Sequence, residues 1–320
     1  MKYLVTGGAG FIGSHITRAL LGMGTSVRIL DNFSSGKREN VEALIKQFNA
    51  TQLEILEGDV RDASRVTEAV RGVEIIFHEA AFVSVPQSMD QPQECFDVNI
   101  TGTSLLFDAA RKVGVRRVVV ASSAAVYGES DALPLVEETP LQPLSPYAVS
   151  KRVDEMYAEL FTNSFGLDVT ALRYFNVYGP RQRPDSMYAA AVSIFARRLL
   201  DGKPITVFGD GGQTRSFCYV TDLVDGLIRL SASEERYPVN LGNPHEMTIL
   251  HFAESIQAMI GSKMPIRFHP LPEDDPKVRR PDISKAQLLL GWEPKVAFED
   301  GIQTTIDYFR GLLSAVPSRA

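Results

Sequence analysis

The stretch "VTGGAGFIGSH", residues 5–15, limits what this chain can fold into more than any other. Gly7, Gly10 and Gly13 recur at a spacing of three between a short apolar run and an amphipathic segment. Such glycines serve a strand that turns sharply into a helix, where the backbone must approach a ligand and the helix must pack closely on the strand. The helix N-terminus then presents N–H groups and a partial positive charge, which suits a pyrophosphate. Phe11 and Ile12, between the last two glycines, are counted with them as candidate cofactor contacts.

The rest of the first half repeats that strand–helix unit. Short runs such as "SVRIL", "LEILEGDV", "VEIIFHEAA", "VRRVVVASS" and "LDVTALRYF" alternate with longer amphipathic segments. Several, "RVVVASS" among them, are apolar on successive residues, as strands covered by helices on both faces are. The rhythm predicts an α/β fold with a doubly wound parallel sheet (Rossmann), over 1–175 with a return near 216–241. A smaller C-terminal α/β region for substrate is expected over about 176–215 and 242–320. It contains a helix in "AAVSIFARRLLDG", a strand "ITVFG", a turn "DGGQ", and helices around 248–261 and 298–314.

Composition excludes several classes. The 320 residues carry 33 basic and 39 acidic side chains, a net charge of -6, without a basic stripe, so no nucleic-acid partner is expected. Cys95 and Cys218 lack metal or redox spacing and read as packing residues of a reducing compartment. His15, His78, His245, His251 and His269 show no ligand spacing, and no metal is expected. The first residues match neither a signal peptide nor a spanning helix, which predicts no membrane association and a cytoplasmic location.

Two further patterns give the glycine loop a chemistry. The second strand ends in "RILDN", placing Asp31 about 20 residues after the loop, where a carboxylate accepts ribose hydroxyls and repels a 2'-phosphate. This favours NAD over NADP, with Lys37 and Arg38 pulling the other way. Asn32, Ser35 and Gly36 follow as candidate contacts, and Asp59 and Val60 of "GDVRD" are placed to frame an adenine. In "SPYAVSK", Tyr147 and Lys151 are four residues apart and share a helix face. An ammonium beside a phenol favours the phenolate and makes a general base. Ser123, 24 residues earlier at a strand end, is suited to hold a substrate oxygen in line.

Taken with "HEAAFVSVPQSMDQP", "VNITGT", "ASSAAVYG", "LRYFNVYGPRQRP", "VFGDGGQTRSFCYVTDL", "NLGNP" and "PDISKAQLLLGWEP", these motifs resemble the extended short-chain dehydrogenase/reductases over nearly the whole chain. Within them the likeness is to UDP-sugar 4-epimerases, with a C-terminal similarity to UDP-glucuronate decarboxylases. The resemblance implies an NAD that is recycled within each turnover and a UDP-sugar substrate. By it, Ala80, Ala81 and Asn99 join the cofactor contacts, as do Tyr147 and Lys151. Ser84, Ser123, Tyr147 and Asn176 would contact substrate, Thr206 to Phe208 would border the uracil, and Arg215 would bind a phosphate. It also implies a homodimer through a four-helix bundle made by the helices at 104–113 and 146–165.

In this family, dehydratases carry an Asp-Glu pair after the strand-end Thr or Ser, and decarboxylases a Glu just before the Val-Tyr-Gly. Those slots hold Ala124 and Ala125 here. Alanine moves no proton, so the resemblance implies an isomerase that only oxidises and re-reduces C4. Arg279 departs from the usual neutral residue of the epimerases and would read either a C6 carboxylate or the diphosphate. UDP-glucose/UDP-galactose and the N-acetylated pair are therefore expected substrates, with a UDP-glucuronate 4-epimerase or decarboxylase as the alternative. A non-catalytic NAD sensor is a remote one.

Overall fold

A computed structural model describes residues 1–48, 50–183, 191–270 and 280–314. The first part runs β1 (Lys2–Thr6), α1 (Phe11–Gly22), β2 (Ser26–Asp31), α2 (Arg38–Gln47), β3 (Leu53–Glu57), α3 (Ala63–Val70) and β4 (Ile75–His78). It continues through α4 (Val85–Asp90), α5 (Pro92–Phe96), α6 (Gly102–Val113), β5 (Arg117–Ser123), α7 (Pro146–Phe165) and β6 (Asp168–Tyr174). Then come β7 (Val177–Tyr178), α8 (Ala191–Leu200), β8 (Ile205–Phe208), β9 (Thr214–Ser216), β10 (Cys218–Tyr219), α9 (Val220–Ala232) and β11 (Val239–Leu241). The last elements are β12 (Glu246–Thr248), α10 (Ile249–Ile260), β13 (Ile266–His269), α11 (Ser284–Leu290) and α12 (Phe298–Ser314).

Seven parallel strands form one sheet in the order β11-β6-β5-β4-β1-β2-β3. The expected doubly wound fold is present. The direction of winding reverses between β1 and β4, which opens a crevice at their C-terminal ends, where ligands of such sheets lie. Every residue of β4 is buried, whereas β3, at the sheet edge, alternates Glu54 and Glu57 with apolar residues and stays partly exposed.

The last strand of the sheet, β11, pairs with β6 from Val239 to Leu241. Cys218 and Tyr219 pair instead with β7 outside it. Two further small sheets, β8 with β13 and β9 with β12, make up the C-terminal region. One apolar cluster joins Leu20 of α1, Leu223 of α9, Phe252 of α10 and Ile306 of α12, so the two regions share a core. Among the described residues no helix is long and apolar enough to cross a membrane. Both cysteines are free and buried.

Candidate active site

The turn after β1 is built as its glycines require. Gly7 adopts φ +67°, and a Cβ there would lie 2.8 Å from the backbone nitrogen of Ala80. A Cβ on Gly13 would collide with the Gly7 carbonyl oxygen. The Gly10 N–H donates to the Gly7 oxygen at 3.0 Å, and Gly10 caps α1 with no side-chain bond, leaving the first-turn N–H groups of Phe11 and Ile12 without a side-chain cap. This is a shallow cradle that any side chain would fill, and a pyrophosphate fits it.

Asp31 ends β2 beside that cradle. Its carboxylate accepts from Ala9 N–H at 2.9 Å and Phe33 N–H at 2.8 Å; burial pushes its pKa up against these two bonds. Gly36 packs against it so closely that a Cβ would stand 2.9 Å from Oδ1. Asn32 donates to Asp59 at 2.8 Å, and the Arg61 guanidinium holds Asp59 well below the usual carboxylate range. Val60 is buried beside Gly102, and Ser35 is exposed. Arg38, which weighed toward NADP in the sequence, donates to both oxygens of Glu57 at 2.8 Å and lies 4.1 Å over the Phe33 ring.

At the end of β4 the buried His78 ring lies 2.7 Å from the Thr6 hydroxyl and 3.0 Å from that of Thr103. Burial, with the Lys151 charge nearby, drives its pKa down to about 3, so it is neutral and structural. Glu79 follows, and its carboxyl accepts from the Tyr174 hydroxyl at 2.8 Å. Burial pushes Glu79 up to about 7, against the Tyr174 bond and the Lys151 ammonium. Ala80 and Ala81 carry the chain past Gly7. Asn99 is buried, with its side chain spent on Phe82 N–H at 2.7 Å, Phe82 carbonyl at 3.1 Å and Ser150 at 2.8 Å. It shapes the cleft by fixing this loop, and it sits in a π turn, Asp97–Thr101, between α5 and α6.

Ser123 closes β5 and Tyr147 opens α7, whose N-terminus is set by Pro146 and by Ser145, which accepts from Ala148 N–H at 3.1 Å. The Tyr147 N–H donates to Ser88 of α4 at 3.2 Å, and Ser84 caps that same short helix. One turn on, Lys151 is 3 % exposed and donates to the Ala121 carbonyl at 2.9 Å and to Asp154 at 3.1 Å. Burial works against its charge, but Asp154, Tyr147 and Glu79 outweigh it and raise its pKa. The Ser123 hydroxyl accepts from Ala125 N–H at 3.1 Å, which leaves its own proton to donate.

Ala124 and Ala125 are buried in the short turn after Ser123. A polar network holds this floor rigid. Glu155 accepts from Ser122 at 2.7 Å and from Nε and Nη2 of Arg173 at 2.7 and 2.9 Å; Nη1 of Arg173 reaches the Tyr127 hydroxyl at 2.8 Å, which donates to Asn240 at 2.7 Å. Neither this network nor Glu79 and Asp154 has a spacing that marks it in the sequence. The one available signal was a charge inside otherwise apolar runs.

On the substrate side, Asn176 adopts φ +40° and donates to the Ser216 carbonyl at 3.0 Å. Thr206 and Phe208 lie on β8, with Phe208 exposed. Arg215 of β9 donates to the Thr214 carbonyl at 2.8 Å. Arg279 lies outside the described residues; the next residue, Arg280, pairs with Glu246 at 3.4 Å.

A glycine cradle at the winding reversal, an acid closing β2, and a serine, tyrosine and lysine gathered at β5 and α7 define a dinucleotide-binding α/β enzyme of the extended short-chain dehydrogenase/reductase class. The sequence pattern described as GDP-mannose 4,6 dehydratase matches residues 4–305, and the chain belongs to that family. It is an enzyme of the UDP-sugar epimerase/dehydratase group within it. It is 40% identical over 313 residues to UDP-glucuronic acid decarboxylase 1 of Danio rerio, covering 96% of this chain and 72% of that one. It is 39% identical over 315 residues to the UDP-glucose 4-epimerase of Mycolicibacterium smegmatis, covering 97% and 99%. The Thermus thermophilus UDP-glucose 4-epimerase, solved in complex with NAD, superposes with a TM-score of 0.89 at 37% identity over 99% of this chain and 100% of that one.

Proposed function

We propose that this enzyme is an NAD-dependent 4-epimerase of a UDP-hexose, UDP-glucose/UDP-galactose or the N-acetylated pair. The observation that carries the reading is the pair Ala124 and Ala125, buried directly after Ser123, in the slots where dehydratases and decarboxylases hold acids. Residues to hold NAD are Gly7, Gly10 and Gly13 with the α1 N-terminus for the pyrophosphate, Asp31 for the ribose, and Asp59 with Val60 beside the adenine. When bound, NAD supplies a hydride acceptor that can give the hydride back.

Every other task falls to the chain. Tyr147, as phenolate, takes the proton of the sugar O4, with Lys151 stabilising its charge. Ser123 donates its free proton to the same oxygen and fixes it in line. The sugar becomes a 4-ketone. A neutral hexose carries no carboxylate to lose, and with alanines at positions 124 and 125 no side chain there assists the loss of water, so the ketone is left to be reduced again. Rotation of the keto sugar within the cleft exposes its other face, and Tyr147 then returns the proton to O4 of the inverted product. Asn176 and Arg215 would hold the diphosphate and Thr206 to Phe208 the uracil.

The similarity to decarboxylases supports a second reading, in which the substrate is UDP-glucuronate. Incubation with UDP-glucose, UDP-N-acetylglucosamine and UDP-glucuronate, followed by NMR of the products, separates the two. The 4-epimer of a neutral UDP-hexose is expected; carbon dioxide with UDP-xylose would overturn the epimerase reading. Tyr147→Phe should lower kcat by about 10²- to 10⁴-fold with NAD still bound.

A further inference from the structure

Beside Lys151 lies a buried carboxylate with no part in the chemistry above. Asp154 is fully buried one turn along α7, its Oδ2 3.1 Å from the Lys151 ammonium. Its Oδ1 is buried with no hydrogen-bond partner among the described residues, although the Thr103 hydroxyl lies near the carboxylate. A buried carboxylate with one unsatisfied oxygen is costly to keep, and an alanine there would leave α7 a better helix. The feature it serves is the lysine: the ammonium it touches is the one that faces Tyr147.

We propose that Asp154 is a positioning residue of the reaction, holding Lys151 charged inside the protein and setting, through Lys151, the pH at which Tyr147 acts as base. The inference rests on the reading of Tyr147 and Lys151 as the proton-transfer pair. A negative charge beside the ammonium strengthens proton binding at every group that feels it, Lys151 and Tyr147 alike. The other groups facing this cluster are Glu79, directly after β4, whose charge acts on Lys151, and the neutral His78, which touches Thr103. Glu155 adjoins Asp154 on α7, and Cys95 of α5 packs alongside. Asp154 itself is pushed up by burial to about 6, so its charge is present only above that pH.

The test is Asp154→Asn. Above pH 6, both limbs of the pH profile of kcat/KM for UDP-sugar interconversion should move to lower pH, by about one unit, because removing a negative charge weakens both protons. The onset of phenolate absorbance, read against Tyr147→Phe as blank, should move the same way, and this holds whichever sugar is the substrate. Asp154→Glu should bring the profile back toward the wild type. A reduced kcat with unmoved limbs and unmoved phenolate onset would show a merely structural role and overturn the proposal. If Asp154→Asn fails to fold, carbon-13 NMR of the aspartate carboxyls decides: in Lys151→Met one buried carboxyl must titrate higher than in the wild type, and the proposal falls if none does. Absence of any UDP-sugar turnover, with the phenolate onset shifted as expected, would count against the epimerase reading and leave Asp154 in its role.

Discussion

At the scale of single residues, charge near neutral pH is concentrated around Lys151. Glu79 shows this through stability. Its carboxyl is raised from 4.5 to about 7, so the folded chain holds a proton there that the unfolded chain gives up earlier. That contribution is full below about pH 4.5 and is lost as pH rises through about 7. Glu79→Gln keeps the uncharged form at every pH. The melting temperature of the ligand-free wild type should therefore fall relative to Glu79→Gln between those two pH values; parallel curves would show that Glu79 is not held protonated. Asp31 makes a separate prediction. It is the carboxylate beside the cradle, and Arg38 is already paired to Glu57. Asp31→Ser should weaken NAD binding by about tenfold or more and narrow the preference over NADP, measured by fluorescence titration of the two reduced dinucleotides.

At the scale of elements, α7 supplies most of the site's order because one face carries two tasks. Tyr147, Lys151 and Glu155 follow one another at a spacing of four along it; Lys151 bonds the Ala121 carbonyl of β5, while Glu155 bonds Ser122 of β5 and Arg173 of β6. Glu155 and Arg173 are both almost fully buried, at 3 % exposure each. Breaking such a pair costs about 3–5 kcal/mol where no other charge compensates the partner left behind, and replacing both partners with apolar residues costs far less; here Arg152, 3.2 Å from Glu155, offsets part of the loss. Arg173→Leu should lower thermal stability strongly, and Arg173→Leu combined with Glu155→Leu should recover much of the loss. Equal melting temperatures for single and double variants would show that the pair does not hold the floor of the site. None of this was visible in "LRYF" or "KRVDE", because partners drawn from β6 and α7 meet only when the sheet is assembled.

At the scale of the whole molecule, α6 and α7 leave apolar residues uncovered. Val149, Met156 and Leu160 lie along one face of α7 at 37, 53 and 46 % exposure, and Val113 ends α6 at 44 %. That face suits the four-helix bundle proposed for a homodimer. Light scattering coupled to size exclusion should give a dimer for the wild type and a monomer for Leu160→Glu; a monomeric wild type at micromolar concentration would dismiss the bundle.

What the sequence determined by itself is local. Gly7, Gly10 and Gly13 set a turn because only glycine fits there; continuous apolar runs set buried parallel strands; Ser145-Pro146 set the start of α7 and so placed Tyr147 and Lys151 one turn apart. The proposed choice of reaction rests on the same kind of local feature, two alanines in a row. Tertiary structure decided what surrounds those groups. Burial raised Glu79 and Asp154; the assembled sheet brought Tyr174 onto Glu79, made Asn99 a loop brace and set Arg38 beside Glu57 at the surface. The reason is physical: a side chain's charge state depends on its desolvation and on its nearest charges, and those come from strands and helices far apart in the chain.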